Sequence, residues 1–140
     1  MPHTGRCACN AVTLKINGDA IGVRQCWCRQ CQQIAAGGPT HNAIFLGDDV
    51  EITGALASAH WTAASGNTLS FTFCPACGTQ VYAQSSARLH MKTVRLGMID
   101  APHGLKPQMI IWADDAPDWA VFDPALERFP QQPPAPPPVS

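Results

Sequence analysis

The chain is written in short alternating runs. Val12-Thr13-Leu14-Lys15-Ile16 and Leu69-Ser70-Phe71-Thr72-Phe73 place an apolar side chain at every second position, the period of a strand with one face buried. Similar short strands are predicted over residues 42–46, 50–53, 80–83, 89–96 and 109–112. Asn17-Gly18-Asp19 and Gly47-Asp48-Asp49 supply turn chemistry between them. No long stretch carries a helical period. The best helix is a turn or two from residue 31 to 36, halted by Gly37-Gly38-Pro39. The pattern predicts a mainly β fold of short antiparallel strands with few short helical turns, and function borne on loops.

A length of 140 residues suits one compact domain, and the even composition up to Pro130 places it over residues 1–130. Apolar residues are 46% of the chain, enough to bury a core. The net charge is −1, with no run of either sign. A nucleic-acid binder needs a basic stripe to neutralise phosphates, and a polybasic membrane anchor needs the same, so neither partner is expected. Nothing approaches the roughly 18 consecutive apolar residues of a membrane span, and the N-terminus lacks a signal-peptide layout. The expected location is cytoplasmic, where thiols stay reduced. Beyond residue 130 the character changes: residues 131–140 are proline-rich and uncharged, the composition of a polyproline-type, disordered tail.

Seven cysteines in such a chain call for something other than disulfides, and an odd count would strand one thiol. They fall into a C-x-C (Cys7, Cys9), a C-x-C-x-x-C (Cys26, Cys28, Cys31) and a C-x-x-C (Cys74, Cys77). Tetrahedral zinc holds each sulfur at about 2.3 Å, so ligand sulfurs must approach to roughly 3.8 Å of one another. Gly78 follows the last pair and can take the positive φ that such a turn demands. The natural partition is four plus three. Cys7, Cys9, Cys74 and Cys77 make a closed structural site, and Cys26, Cys28 and Cys31 leave an exchangeable fourth position, the arrangement of catalytic zinc. A thioredoxin-type redox pair is the other reading of Cys74 and Cys77, but that pair opens a helix and this one precedes a strand-like run. For the middle group, a purely structural site or free thiols remain the alternatives.

Three longer stretches carry a resemblance. Gly5-Arg6-Cys7-Ala8-Cys9-Asn10-Ala11-Val12, Cys26-Trp27-Cys28-Arg29-Gln30-Cys31 and Phe73-Cys74-Pro75-Ala76-Cys77-Gly78-Thr79-Gln80-Val81-Tyr82 resemble, in order and spacing, the glutathione-dependent formaldehyde-activating enzyme family. Leu96-Gly97-Met98-Ile99-Asp100 and the segment from Ile111-Trp112 to Trp119 look like that family's closing part. The resemblance implies a zinc-bearing β-tent, with structural zinc on Cys7, Cys9, Cys74 and Cys77 and catalytic zinc on Cys26, Cys28 and Cys31. It also implies carbon–sulfur lyase chemistry, in which glutathione adds to formaldehyde to give S-(hydroxymethyl)glutathione, or the reverse. The chain departs from the family pattern at Asn10 (usually Gly), Trp27 (commonly His), Gln32 and Gln33 (commonly basic) and Ile110 (often His).

The expected partners are therefore a small thiol and a small aldehyde. Arg29, inside the ligand loop, is the candidate for a substrate carboxylate, with Arg6 and Arg24 as weaker versions; the plain reading is a solvated loop cation. Trp27, between two ligands, either walls the substrate pocket or packs into the core. His41, after the Gly37-Gly38-Pro39 loop, is the candidate proton shuttle, although loop histidines are commonly just solvated. His60 and His90, in strand-like stretches, read as surface or packing residues, and His3 and His103 as exposed loop positions. The competing function is a non-catalytic zinc β-module that binds a protein or small molecule with only a structural zinc. Metal stoichiometry separates the two.

Overall fold

A computed structural model describes residues 2–134. In chain order the strands are β1 (His3–Arg6), β2 (Thr13–Ile16), β3 (Gly22–Cys26), β4 (Thr40–Leu46), β5 (Val50–Thr53) and β6 (Ala57–Thr62). They continue as β7 (Thr68–Phe73), β8 (Gln80–Ser85), β9 (Met91–Arg95), β10 (Met109–Ile111) and β11 (Glu127–Arg128). One α-helix, α1 (Arg29–Ile34), interrupts them, and short 3₁₀ turns link several strands. No helix among the described residues is long and apolar enough to cross a membrane.

The strands build two sheets. A three-stranded sheet has the order β1-β2-β5, and an eight-stranded sheet runs β11-β10-β3-β4-β9-β8-β7-β6. Every run expected from alternation is a strand, and the fold is mainly β. Two pairings depart from the antiparallel expectation: β10 runs parallel to β3 on one side and to β11 on the other. The long connection from β9 to β10 returns the chain to the same end of the sheet, so Ile111 comes level with Cys26. Its carbonyl then accepts the Trp27 N–H at 3.1 Å.

Alternation decides which faces meet. Leu14 and Ile16 of β2 point inward while Thr13 and Lys15 face out. They join Val12, Val23, Ala43, Phe45, Val81, Val94 and Met98 in the main core, where apolar burial supplies the driving force. Strand β1 lies close against the turn that follows β9. A side chain at Gly5 would collide with the Met98 carbonyl oxygen, so only glycine permits the approach that pairs Gly5 with Ile99.

The first residues of the expected tail are tied to the domain. The Trp112 N–H donates to the Gln131 carbonyl at 3.2 Å, and the Trp112 indole donates to Gln132 Oε1 at 3.3 Å. Residues 135–140 of that tail lie outside the described residues.

Candidate metal centre

All seven cysteines gather into two groups with the expected partition. Within each, the sulfur atoms lie within 4.8 Å of one another.

The four-cysteine group is made by two tight turns. In the first, the Cys7 N–H donates to the Val12 carbonyl at 2.9 Å and the Asn10 N–H to the Cys7 carbonyl at 3.1 Å. Asn10 sits at φ +67°, left-handed backbone in which Asn is among the enriched side-chain-bearing residues. The departure from glycine at this position is thus compatible with the turn. In the second, Gly78 takes φ +76°, and its N–H donates to the Cys74 carbonyl at 2.8 Å. Thr79 joins the turns: its Oγ1 accepts the Ala8 N–H at 3.1 Å and lies 3.2 Å from Cys77 Sγ. Cys7 and Cys9 sulfurs are 3.6 Å apart, Cys9 and Cys74 sulfurs 3.8 Å, the spacing of thiolates around one tetrahedral ion. Hydrogen bonds from the Thr79 hydroxyl and backbone lower the Cys77 thiol to about 5.

The three-cysteine group is deeper. Cys26 ends β3, Cys28 precedes α1, and Cys31 is in its first turns. The Cys28 sulfur accepts the Cys31 N–H at 3.3 Å, which sets both side chains on one side of the helix start. Gln32, next along, is buried and donates from Nε2 to the Trp27 carbonyl and the Asp115 carbonyl, each at 2.8 Å. It clamps the ligand loop onto the segment after β10. Among the described residues, no fourth Cys, His, Asp or Glu joins this group.

The three thiols are shifted in opposite directions by one another. Hydrogen bonds from Cys26, Cys28 and the Thr40 hydroxyl outweigh burial and lower Cys31 to about 3. Cys26 moves the other way, raised by Cys28, by Cys31 and by burial. Although Cys26 favours its ionisation, Cys28 is pushed up to about 11 by Cys31 and burial. Three thiols this close cannot all ionise without a cation between them. An all-sulfur donor set at this spacing fits a soft divalent metal ion, so the residues present suit both metal positions.

Two hydrogen-bond chains of fixed direction flank the group. The Arg95 guanidinium has only donors, so Asn42 Oδ1 accepts from Arg95 Nη1 at 2.5 Å. The Asn42 amide nitrogen must then donate to Thr40 Oγ1 at 2.9 Å. That leaves the Thr40 hydroxyl proton for Cys31 Sγ at 3.1 Å. On the other side the indole of Trp27, donor only, gives its N–H to Gln25 Oε1 at 3.1 Å. The Gln25 amide nitrogen therefore donates to His41 Nε2 at 3.1 Å, and neutral His41 carries its proton on Nδ1. Partial desolvation lowers His41 below the ordinary imidazole value of 6.5.

Thr40, which donates to Cys31, and Thr79, which lies against Cys77, both line a cavity of about 600 Å³ together with His41, Gln80, Arg95 and His103; no cysteine is among its lining residues. His41 is at this cavity. Arg29 is not: it is exposed on α1. Trp27 is also outside the lining, buried edge-on against Trp119 and Phe122 at 6.3 and 6.1 Å. Its indole connects to the cavity through Gln25 and His41. Arg6 is exposed and faces Asp100 at 3.6 Å, and Arg24 lines a separate, smaller cavity with Arg88. Sequence reasoning overlooked Arg95, Asn42, Thr40 and Gln80. Their signal is faint in one dimension: polar residues at inward positions of strands whose neighbours are apolar.

A family model described as glutathione-dependent formaldehyde-activating enzyme matches residues 2–115. That span holds every cysteine and the whole cavity lining and stops short of residues 116–130. The crystal structure of a Rhodobacter sphaeroides protein is similar at a TM-score of 0.53 and 19% identity, covering 74% of this chain and 91% of that one. At that identity the likeness speaks for the fold. No curated protein sequence matches the chain.

Proposed function

The chain belongs to the glutathione-dependent formaldehyde-activating enzyme family, and from that premise we propose that it is a zinc-dependent carbon–sulfur lyase. It joins a small thiol, glutathione or a similar compound, to formaldehyde or another small aldehyde, and splits the adduct in reverse. The carrying observation is the group of Cys26, Cys28 and Cys31, with three sulfurs and, among the described residues, no fourth side-chain ligand; Thr40, which donates to Cys31, lines a cavity of about 600 Å³. A pocket of that size holds a small peptide-like ligand.

Cys7, Cys9, Cys74 and Cys77 would hold the structural zinc, closing all four positions. Cys26, Cys28 and Cys31 would hold the second. When bound there, zinc supplies a seat on which a substrate thiol is stabilised as thiolate at neutral pH. The Thr40 hydroxyl, donating to Cys31 Sγ, fixes that sulfur and tempers its charge, as outer partners of metal ligands do.

The reaction balances without oxidant or cofactor. A bond forms between the thiol sulfur and the carbonyl carbon, the carbonyl π bond opens, and the thiol proton ends on the new hydroxyl oxygen. His41 lines the cavity and is the candidate for the proton transfer, which requires its Nε2 to be released from the Gln25 amide.

Exchange NMR on glutathione plus formaldehyde tests the reading. Zinc-loaded protein should speed interconversion with S-(hydroxymethyl)glutathione above the spontaneous rate, and Cys28→Ser should abolish the gain. A Cys28→Ser protein that stays folded and keeps full exchange would sink it.

A further inference from the structure

A second cavity, of about 170 Å³, opens on the large sheet and shares no lining residue with the one that Thr40 and Thr79 line. Its floor follows from the strand register. Gly22 of β3 stands opposite Ile44 of β4, and Arg24 of β3 opposite Met109 of β10. Gly22 and Arg24 are two residues apart on one strand, so all four positions belong to one face. Gly22 leaves that floor open, because a Cβ there would meet nothing within 4 Å. Ile44, Met91 and Met109 supply apolar walls.

Donors gather around this apolar hollow. Arg24 reaches it from β3 and Arg88 from the 3₁₀ turn Ser86–Arg88, both half-buried. Arg24 Nε is buried, so its two terminal nitrogens are the ones that can meet a ligand. Among the described residues the one ion pair joins Arg6 to Asp100, and neither cavity arginine has a carboxylate partner. Two like charges around one small hollow repel each other unless an anion sits between them. Gln108 adds an amide: its Oε1 accepts the Val23 N–H at 3.2 Å, which leaves its Nε2 hydrogens free to donate.

Volume and walls decide which anion fits. A volume of 170 Å³ equals the liquid share of about six waters, room for about six non-hydrogen atoms. The apolar walls suit a short hydrocarbon chain. Phosphate or sulfate would press hydrated oxygens against them, at a desolvation cost.

We propose that this cavity is a binding site for a short-chain monocarboxylate of the size of butyrate, its carboxylate held by Arg24 and Arg88 and its chain packed on Ile44, Met91 and Met109. The site is separate from the cavity assigned to the thiol and aldehyde, and it stands whether or not the chain is a lyase.

Butyrate titrated into the zinc-loaded full chain, labelled at the methionine methyls and followed by NMR, reads the site directly. The Met91 and Met109 methyls should shift saturably, while Met98, fully buried in the main core, stays in place. Butyramide, equal in size but uncharged, should bind at least about tenfold more weakly, since it lacks charge-assisted hydrogen bonds. Inorganic phosphate should be weaker by a similar factor. Arg88→Gln should weaken butyrate about tenfold, and Gly22→Val, which fills the open floor, should abolish the shifts. Arg88→Gln should also leave the exchange of glutathione with formaldehyde at the rate of the unsubstituted protein. Absence of a saturable shift, butyramide or phosphate binding as tightly as butyrate, binding indifferent to both variants, or a change in exchange on Arg88→Gln would each overturn the proposal. Selective butyrate binding in a protein that catalyses no exchange would uphold this site and sink the lyase reading alone.

Discussion

Cys31 differs from its two companions in what reaches its sulfur. Thr40 donates to it, and behind Thr40 stand Asn42 and then a guanidinium, all buried. Removing the hydroxyl with Thr40→Val strips the sulfur of its donor and leaves the Asn42 amide without an acceptor. Outer partners of this kind are worth roughly 10–100-fold in metal affinity. Competition with a chromophoric chelator should show a loss of that size for the second metal only, and an unchanged affinity would contradict the chain. At His41 the expectation concerns protons. Desolvation lowers its pKa, so the unfolded chain binds more protons between that lowered value and 6.5. Its share of stability is therefore complete above pH 6.5 and declines as pH falls through the window. The imidazole should titrate below 6.5 in an NMR pH series, with nitrogen shifts of the Nδ1–H tautomer; a midpoint above 6.5 would count against it. At this scale the cysteines were legible because ligand spacing is a local property of the chain. Arg95 was not, because its role comes from Asn42, Phe71 and Cys31, which only the folded sheet brings beside it.

Among the elements, α1 is the shortest path from sequence to site. Six residues long, it is too short to be stable alone. It is held instead by the Cys28 sulfur at its start and by Gln32, whose amide bonds two carbonyls from separate segments. Gln32→Ala leaves the Trp27 and Asp115 carbonyls without that donor. The expected loss is about 1–3 kcal/mol, read from urea unfolding of zinc-loaded protein; a loss under about 0.5 kcal/mol would show the clamp to be idle. Most strands were legible where apolar and polar residues alternate, as in β2 and β7. Strands β1 and β3 escaped notice, and β6 was marked only by the strand-like stretch around His60. In β1 only Gly5 is buried, so no side chain marks the inward face. In β6 the inward positions are Ala57, Ala59 and Trp61, two of them too small to stand out. The parallel seating of β10 against β3 leaves no local trace, since it depends on the return path of the chain after β9.

For the whole molecule, the proposed function assigns the two cysteine groups different work. Cys7 and Cys9 lie between β1 and β2 of the small sheet, and Cys74 and Cys77 between β7 and β8 of the large one. A metal there ties the sheets together, and structural zinc contributes folding free energy directly, about 10–16 kcal/mol apparent in small peptides. Cys74→Ser should therefore lose cooperative thermal unfolding followed by circular dichroism. Cys28→Ser, at the loop-borne group, should keep it within a few degrees, and two variants melting alike would argue against the division. The same division gives the most direct test of the proposed chemistry: catalysed exchange between glutathione, formaldehyde and their adduct, measured by NMR while zinc is added stepwise to metal-free refolded protein. Acceleration should be absent up to one equivalent per chain, as the four-cysteine group fills, and should rise between one and two equivalents as Cys26, Cys28 and Cys31 are occupied. Exchange already maximal at one equivalent, or none above the spontaneous rate at two, would contradict it.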